Sequence, residues 1–442
     1  ADDIVSPEFK GENHDVILIE PRFNSDGLPE TASLLKTFAR VTDLLRSKKA
    51  VACYTPCMGG IADAIMKMCF GNGVGFAFDA GIPQDRIFAR TCACFILELA
   101  DGQKPDFDDA VLLGRTNGWN AISYHAQSVS LSELLTAYES KLEPVFPSYV
   151  KERGGEVRSI SFRAGVRPAP AVKTARPKVL IPAFPGTNCE YDSAKVMRDA
   201  GAEPEIFVVN NLTSDGIARS VETFAKMLKE AQMVFIPGGF SGGDEPDGSG
   251  KLITAFFRSA AVKERVTDLL DKRGGLMCGI CNGFQALIKL GLVPYGKIID
   301  TDADCPTLTF NTIGRHQSRI VRTRIASNKS PWLALTEVGD IYSVPISHGE
   351  GRFLADDPLI AELEKNGQIA TQYVDLDGRA TDDILFNPNG SVCAIEGITS
   401  PDGRVFGKMG HAERIGSGLY QNVPGNYDIH MFEAAVRYFK SC

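Results

Sequence analysis

Several absences bound what this chain can be. No apolar run reaches the length of a membrane-spanning helix, so no membrane segment is expected. No long basic run occurs and the formal net charge is −8, which argues against a nucleic-acid footprint and suits a soluble enzyme. No secretory signal opens the sequence, and the 11 cysteines are odd in number and scattered, so a reducing cytoplasm is expected rather than a disulfide framework. Internal repeats and low-complexity tracts are missing too. Histidine is scarce, with six residues at positions 14, 125, 316, 348, 411 and 430, so any imidazole chemistry has few candidates.

What is present is an ordinary globular composition, 44% hydrophobic and 23% charged over 442 residues, enough for two or three domains with a sizeable core. An N-terminal α+β segment, 1–149, reads as a strand at 15–20, a helix at 29–47 with apolar residues at 34, 35, 38, 41, 44 and 45, and a strand at 50–54. A Gly59-Gly60 turn, a helix at 61–70, strands near 74–78 and 92–99 and a helix at 131–141 follow. It looks too short to be a whole domain of its own. The basic, proline-rich stretch 150–175 has no apolar period and reads as a linker. From 176 to 442 the rhythm is strand–helix–strand: KVLIPAF, EIFVV, MVFIPGGF and GLMCGI are continuous apolar runs, with helices at 191–202, 216–231, 256–274 and 284–290 between and after them. That is the pattern of an α/β fold, an open and mostly parallel sheet with helices on both faces. Beyond 300 the strands are shorter (TLTFN, SRIVRTRI, DIYSVPI, SVCAIEGI, RVFGKMG), with NPNG and SPDG as tight turns.

The stretch MCGICNGFQ (277–285) places Cys281 between Gly279 and Gly283, where a strand gives way to a helix. This is the spacing of a nucleophile on a sharp strand-to-helix turn, with glycines where side chains would collide. Such a thiol is expected to point out at the carboxyl end of the sheet, at a helix N-terminus whose dipole favours thiolate. Three rival readings stand beside it: a Cys278-x-x-Cys281 redox pair, a zinc clip drawing on Cys53, Cys57, Cys92 or Cys94, and a buried cysteine without chemistry. A nucleophile needs a base. His411 in GKMGHAER has Glu413 two residues on, and His348 in SVPISHGEGRF has Glu350 at the same spacing; His411 is preferred, with His348 the competitor. His14, His125 and His430 read as surface or packing residues, and His316 sits in a polar turn. The N–H of Asn282 is one oxyanion donor. A second is expected from the glycine-rich loop FIPGGFSGGDEPDGSG (235–250), which carries Gly238, Gly239, Gly242 and Gly243 and lacks the Lys-Ser/Thr ending of a phosphate loop.

Together PGTNCEYD, IPGGFSGGDE, CGICNGFQ, ISHGEGRF, NPNGSVCAIEGITSPDGR and MGHAER resemble the class I glutamine amidotransferases, and among them the formylglycinamide ribonucleotide amidotransferase family of purine biosynthesis. The likeness covers about 176–442 and implies a flavodoxin-like glutaminase fold. It implies Cys281 as nucleophile, His411 as base and acid, and Glu413 as orienter. Gly239 and Asn282 would be oxyanion donors, Gln285 would hold bound glutamine, and His348 and Glu350 would border the site. Residues 15–100, with TPCMGGIADAIMKMCFGNGVGFAF, resemble the closing half of a synthetase-like repeat, although Met58 stands where many members have an acidic residue before the paired glycines. The synthetase's ATP- and substrate-binding motifs are missing. The resemblance therefore implies the C-terminal piece of a longer polypeptide, with glutamine as substrate and the remaining synthetase domains as partners. No cofactor or metal is expected in this chain, and ATP and Mg²⁺ are expected for the complete enzyme. Alternatives from other classes are a catalytically silent binding or scaffold module with this fold, and a thiol oxidoreductase using Cys278 and Cys281.

Overall fold

The computed structural model describes residues 4–104, 110–147, 157–241, 250–421 and 423–440. They fall into two compact units, Ala1–Ser148 and Tyr149–Cys442.

The first unit contains β1 (Asp15–Ile19), α1 (Thr31–Arg46), β2 (Ala50–Tyr54), α2 (Gly60–Phe70), β3 (Gly75–Phe78), α3 (Gln84–Phe88) and β4 (Phe95–Leu99). It continues with β5 (Ala110–Asn117), β6 (Ala121–Tyr124), β7 (Gln127–Ser130) and α4 (Leu131–Ser140). Its seven strands run in the order β2-β4-β1-β5-β3-β6-β7. The strand DVILI explains the layering, because side chains alternate faces along a strand. Val16 and Leu18 pack with Ile61, Ile65 and Met68 of α2, whereas Ile17 and Ile19 pack with Val41 and Leu44 of α1. The segment thus forms a compact unit with two cores of its own, more than the short set expected. Strands β5–β7 were not anticipated, and Leu35 and Phe38 of the expected α1 stripe remain exposed in this unit.

The second unit contains β8 (Lys178–Ala183), α5 (Glu190–Asp199), β9 (Glu203–Val208), α6 (Ser214–Leu228), β10 (Met233–Ile236), α7 (Lys251–Arg258), α8 (Ala260–Thr267), β11 (Leu276–Ile280), α9 (Asn282–Leu290) and α10 (Leu292–Tyr295). There follow β12 (Thr307–Phe310), β13 (Gln317–Ile325), β14 (Ile341–His348), β15 (Glu350–Leu354), α11 (Asp357–Lys365), β16 (Ile369–Val374), β17 (Ile395–Thr399), β18 (Val405–Lys408) and α12 (Met431–Phe439). Nine strands form one mixed sheet, β14-β13-β16-β17-β18-β11-β10-β8-β9. The run β9-β8-β10-β11-β18 is parallel, and β17, β16, β13 and β14 continue it antiparallel. Every residue of β10 and β11 is buried, as unbroken apolar runs require in a covered parallel sheet.

Two expectations need revision. The helix expected over 256–274 is broken: α7 ends at Arg258, and Ser259, with extended backbone (φ −56°, ψ 137°), separates it from α8. The buried residues explain this, since Phe257 and Val262 are five apart and one continuous helix cannot face both inward. The stretch expected as a linker forms no helix and, apart from an isolated bridge at Phe162, no strand from 157 onward. It is nonetheless part of the second unit, and its backbone is bonded to the rest of that unit: Ile160 N–H donates to Gln372 Oε1 (2.7 Å), Phe162 N–H to Ala326 O (2.8 Å) and Thr174 N–H to Phe439 O (2.9 Å).

Glycines set the distance between α9 and the sheet. A Cβ on Gly283 would lie 2.0 Å from the carbonyl oxygen of Ile236, and one on Gly407 would lie 2.1 Å from the ring of Phe284. Gly283→Ala is expected to destabilise the fold by about 1–3 kcal/mol, the usual cost of overpacking. A lowered urea midpoint would show this, and an unchanged midpoint would refute it.

Candidate active site

Adjacent strands deliver the candidate residues from their carboxyl ends, where open α/β sheets form their crevices. Beyond β8 lies the loop through Gly186 to Cys189, beyond β10 lie Gly238 and Gly239, beyond β11 lies Cys281, and beyond β18 lie His411 and Glu413. Strand β14 runs in the same direction as the parallel set, so its end brings Ser347 and His348 to the same edge.

Cys281 sits between β11 and α9 with φ 53° and ψ −107°. A non-glycine residue held in so sparsely populated a conformation costs about 1–3 kcal/mol. The surroundings enforce it. A Cβ on Gly279 would lie 2.5 Å from the carbonyl oxygen of Gly283, so the chain must double back tightly around the cysteine. The Cys281 N–H donates to Lys408 O at 2.9 Å, tying the elbow to β18. Sγ lies 3.7 Å from Ser347 O.

His411 and Glu413 form a buried pair, Nδ1 to Oε1 at 2.6 Å. Burial works against ionisation of Glu413, but the charge and hydrogen bond of His411 outweigh it and hold the carboxyl below its usual range. His411 Nε2 is buried and has no hydrogen-bond partner among the described residues. A Cβ added to Gly238 would lie 2.7 Å from His411 Cε1 and 3.4 Å from both Cys281 Cβ and Cys189 Sγ. Three side chains therefore converge on the bare face of this glycine.

Cys189 was quoted in a motif but not singled out in the sequence. Its Sγ lies 3.8 Å from His411 Nδ1, accepts from Arg414 Nη2 at 3.1 Å and lies 3.1 Å from Asn188 Oδ1. Also unanticipated is the buried ion pair of Lys408 and Glu396, Nζ to Oε1 at 3.2 Å. Glu396 accepts the Gly410 N–H (2.6 Å) and the Thr371 hydroxyl, and Lys408 Nζ donates to Gly410 O (2.9 Å). One lysine thus holds the Cys281 amide through its carbonyl and the residue before His411 through its ammonium.

Asn282 begins α9, and its N–H lies close enough to the Cys281 sulfur to favour the thiolate. Its Oδ1 accepts from Ser241 N–H at 3.2 Å. Gly239 has φ 149° and bridges to Thr187; that bridge uses the N–H groups of Asn188 and Phe240, not that of Gly239. Gly242 and Gly243 lie outside the described residues. Gln285 is buried and holds structure together: it accepts from Asn282 Nδ2 (2.9 Å) and donates to Glu350 O (2.6 Å). His348 and Glu350 are both buried, and His348 Nδ1 meets Asn311 Oδ1 at 3.2 Å. His316 lies at the same edge, with Nε2 3.1 Å from Ser347 Oγ.

The thiol differs from expectation in one respect. It stands at the carboxyl edge of the sheet but is only 4% exposed, and burial pushes it up to about 12, outweighing the Asn282 N–H at the helix start. Cys278 is fully buried within β11, in register with Phe235 and Phe406, and burial drives its thiol well above the usual range. Among the described residues the one group with metal-ligand spacing is Cys189, His411 and Glu413, not the cysteines first considered.

Burial, followed by the charges of His411 and His316, lowers His348 from 6.5 to about 3. The unfolded chain gains this proton near the ordinary value and the folded chain only near the lowered one, so stability is lost as pH falls between them. His348→Gln removes this contribution. The loss of urea stability on going from about pH 7 to about pH 5 is expected to shrink in the variant, and an equal loss would contradict the assignment.

Comparison with known proteins bears on the same region. The model of the CobB/CobQ-like glutamine amidotransferase domain matches residues 176–439. The phosphoribosylformylglycinamidine synthase subunit PurQ of Methanococcus maripaludis is 36% identical over 244 residues, 54% of this chain and 82% of that protein. The subunit of the same name from Aquifex aeolicus is 32% identical over 257 residues, 57% of this chain and 95% of its own length. Among solved structures, that of PurLQS from Thermotoga maritima aligns with 60% of this chain and 100% of its own, at 24% identity and a TM-score of 0.44. Through residues 176–439 the chain belongs to the CobB/CobQ-like glutamine amidotransferase family.

Proposed function

We propose that the second unit hydrolyses glutamine through a thioester on Cys281 and supplies the ammonia for amination of formylglycinamide ribonucleotide. The observation that carries the reading is the positive-φ Cys281 facing Gly238, with the His411–Glu413 pair converging on the same glycine. Cys189 is the other thiol near His411, but it meets the Nδ1 edge that Glu413 already holds. The unpartnered Nε2 is the nitrogen left to receive a proton, and Cys281 is the thiol that gives it.

The resting thiol is neutral, since burial raises it to about 12. As Sγ adds to the carboxamide carbon, its proton passes to His411 Nε2, and Glu413 stabilises the imidazolium through Nδ1–H. The oxyanion is received by the N–H groups of Asn282 and Gly239; one such donor is typically worth about two to three orders of magnitude in rate. His411 returns the proton to the departing nitrogen, giving ammonia and a glutamyl thioester. It then takes a proton from water, the hydroxide adds, and glutamate leaves as the thiol is restored. In this reading His348, held neutral and bonded to Asn311, borders the site with Glu350, and Gln285, its amide bonded to Asn282 and Glu350 O, is the residue assigned to glutamine binding.

The names of the PurQ relatives support delivery of this ammonia to formylglycinamide ribonucleotide. In this reading ATP and Mg²⁺ serve the synthetase part of the complete cytoplasmic enzyme, the first unit is the closing part of a synthetase-like domain, and the remaining synthetase domains are partners. Cys281→Ala is expected to lower glutamate release by about three orders of magnitude or more while ammonia-driven synthesis by the complete enzyme survives. His411→Ala should fall comparably, and His348→Ala less. Glutamate release unchanged by Cys281→Ala would end the proposal, and loss confined to the His348 variant would reassign the base.

A further inference from the structure

The proposed chemistry does not use Cys189, yet this buried thiol lies against the far edge of the proposed base. Among the described residues, Cys189 Sγ, His411 Nδ1 and a carboxylate oxygen of Glu413 form the one group whose ligand atoms all lie within 4.8 Å of one another. The individual separations are 2.6 Å between Nδ1 and Oε1 and 3.8 Å between Nδ1 and Sγ. A tetrahedral zinc with bonds of about 2.0–2.3 Å needs its ligand atoms about 3.3–3.6 Å apart, so ångström-scale adjustments suffice. A second observation concerns the same carboxylate: Glu413 Oε2, the oxygen that does not meet His411, is buried and has no hydrogen-bond partner among the described residues.

We propose that Cys189, His411 and Glu413 form an inhibitory binding site for Zn²⁺ or a similar borderline divalent cation. One thiolate, one imidazole and one carboxylate are the donor types such ions take, and the two anions balance the metal's charge. Asn188 Oδ1, 3.1 Å from the sulfur, or a water completes the coordination. Arg414, whose Nη2 donates to Sγ at 3.1 Å, would hydrogen-bond the ligating thiolate from outside the metal sphere. Binding releases one proton, that of the Cys189 thiol; the Nδ1 proton of His411 moves to Nε2, because a neutral imidazole that ligates through Nδ1 carries its N–H on the other nitrogen, and Glu413 is already ionised. The metal thus takes the place of the proton that His411 shares with Glu413. Nε2 then already carries the ring's proton and can no longer accept the nucleophile's, and glutamine hydrolysis stops while the metal is bound.

The inhibition part rests on the glutaminase reading; the binding part does not. The test is titration of the full chain with Co²⁺, read by its visible ligand-field bands and the thiolate charge-transfer band, beside Zn²⁺ inhibition of glutamate release. One Co²⁺ per chain is expected in the parent and in Cys281→Ala. Cys189→Ser is expected to lose the charge-transfer band and to require at least about tenfold more Zn²⁺ for half-inhibition, while keeping its chelator-treated activity. A band that persists in Cys189→Ser but vanishes in Cys281→Ala would overturn the proposal, as would the absence of stoichiometric binding. A chain that binds Co²⁺ through Cys189 but never hydrolyses glutamine would instead overturn the glutaminase reading and leave the metal site standing.

Discussion

The tight approach of α9 to the sheet is the constraint from which the site follows. Gly283 presses its backbone onto the carbonyl of Ile236, and Gly279 faces the carbonyl of Gly283 with no room for a side chain. With both ends of the turn so confined, Cys281 is left in a left-handed conformation between them. Strain of this kind persists only where the surroundings over-determine it. Here β10 and β18 lie on either side of β11, and Lys408 O holds the Cys281 amide.

The same economy governs the opposite wall. Gly410, between Met409 and His411, is gripped from both of its peptide groups by the buried Lys408–Glu396 pair. Removing one partner of such a pair strands a buried charge and typically costs about 3–5 kcal/mol, whereas a matched apolar replacement of both can be neutral. The pair is therefore weak evidence for stability as such. Its geometric consequence is plainer: the nucleophile's amide and the peptide before His411 are held by one residue.

How much of this could be read in advance varied with the range of the interaction. The elbow was legible because its cause is local: glycines two residues either side of a cysteine at a strand-to-helix junction. The His411–Glu413 pairing was legible for the same reason, two positions apart on one segment. Cys189 was not, because it meets His411 only when loops 222 residues apart converge. Lys408 looked like an ordinary strand residue in RVFGKMG, and only the fold brings Glu396 opposite it. The burial of the thiol was missed because sequence marks a nucleophile at a turn but not the loops that close over it. The break at Ser259 was written in the spacing of Phe257 and Val262, but a count of apolar residues over 256–274 hid it. Of the four antiparallel strands beyond β18, β13, β14 and β17 were expected only as separate short pieces and β16 was not anticipated, because register between distant segments has no local signature.

The central claim is that the sulfur of Cys281, and not the neighbouring thiol, becomes bonded to the substrate carbon. The most direct measurement is peptide mass mapping of enzyme mixed with glutamine and quenched in acid, conditions under which a thioester survives long enough to be located. The expected result is a glutamyl adduct on the peptide carrying Cys281. A glutamyl adduct on the peptide carrying Cys189, or none under conditions where glutamate is being released, would contradict it.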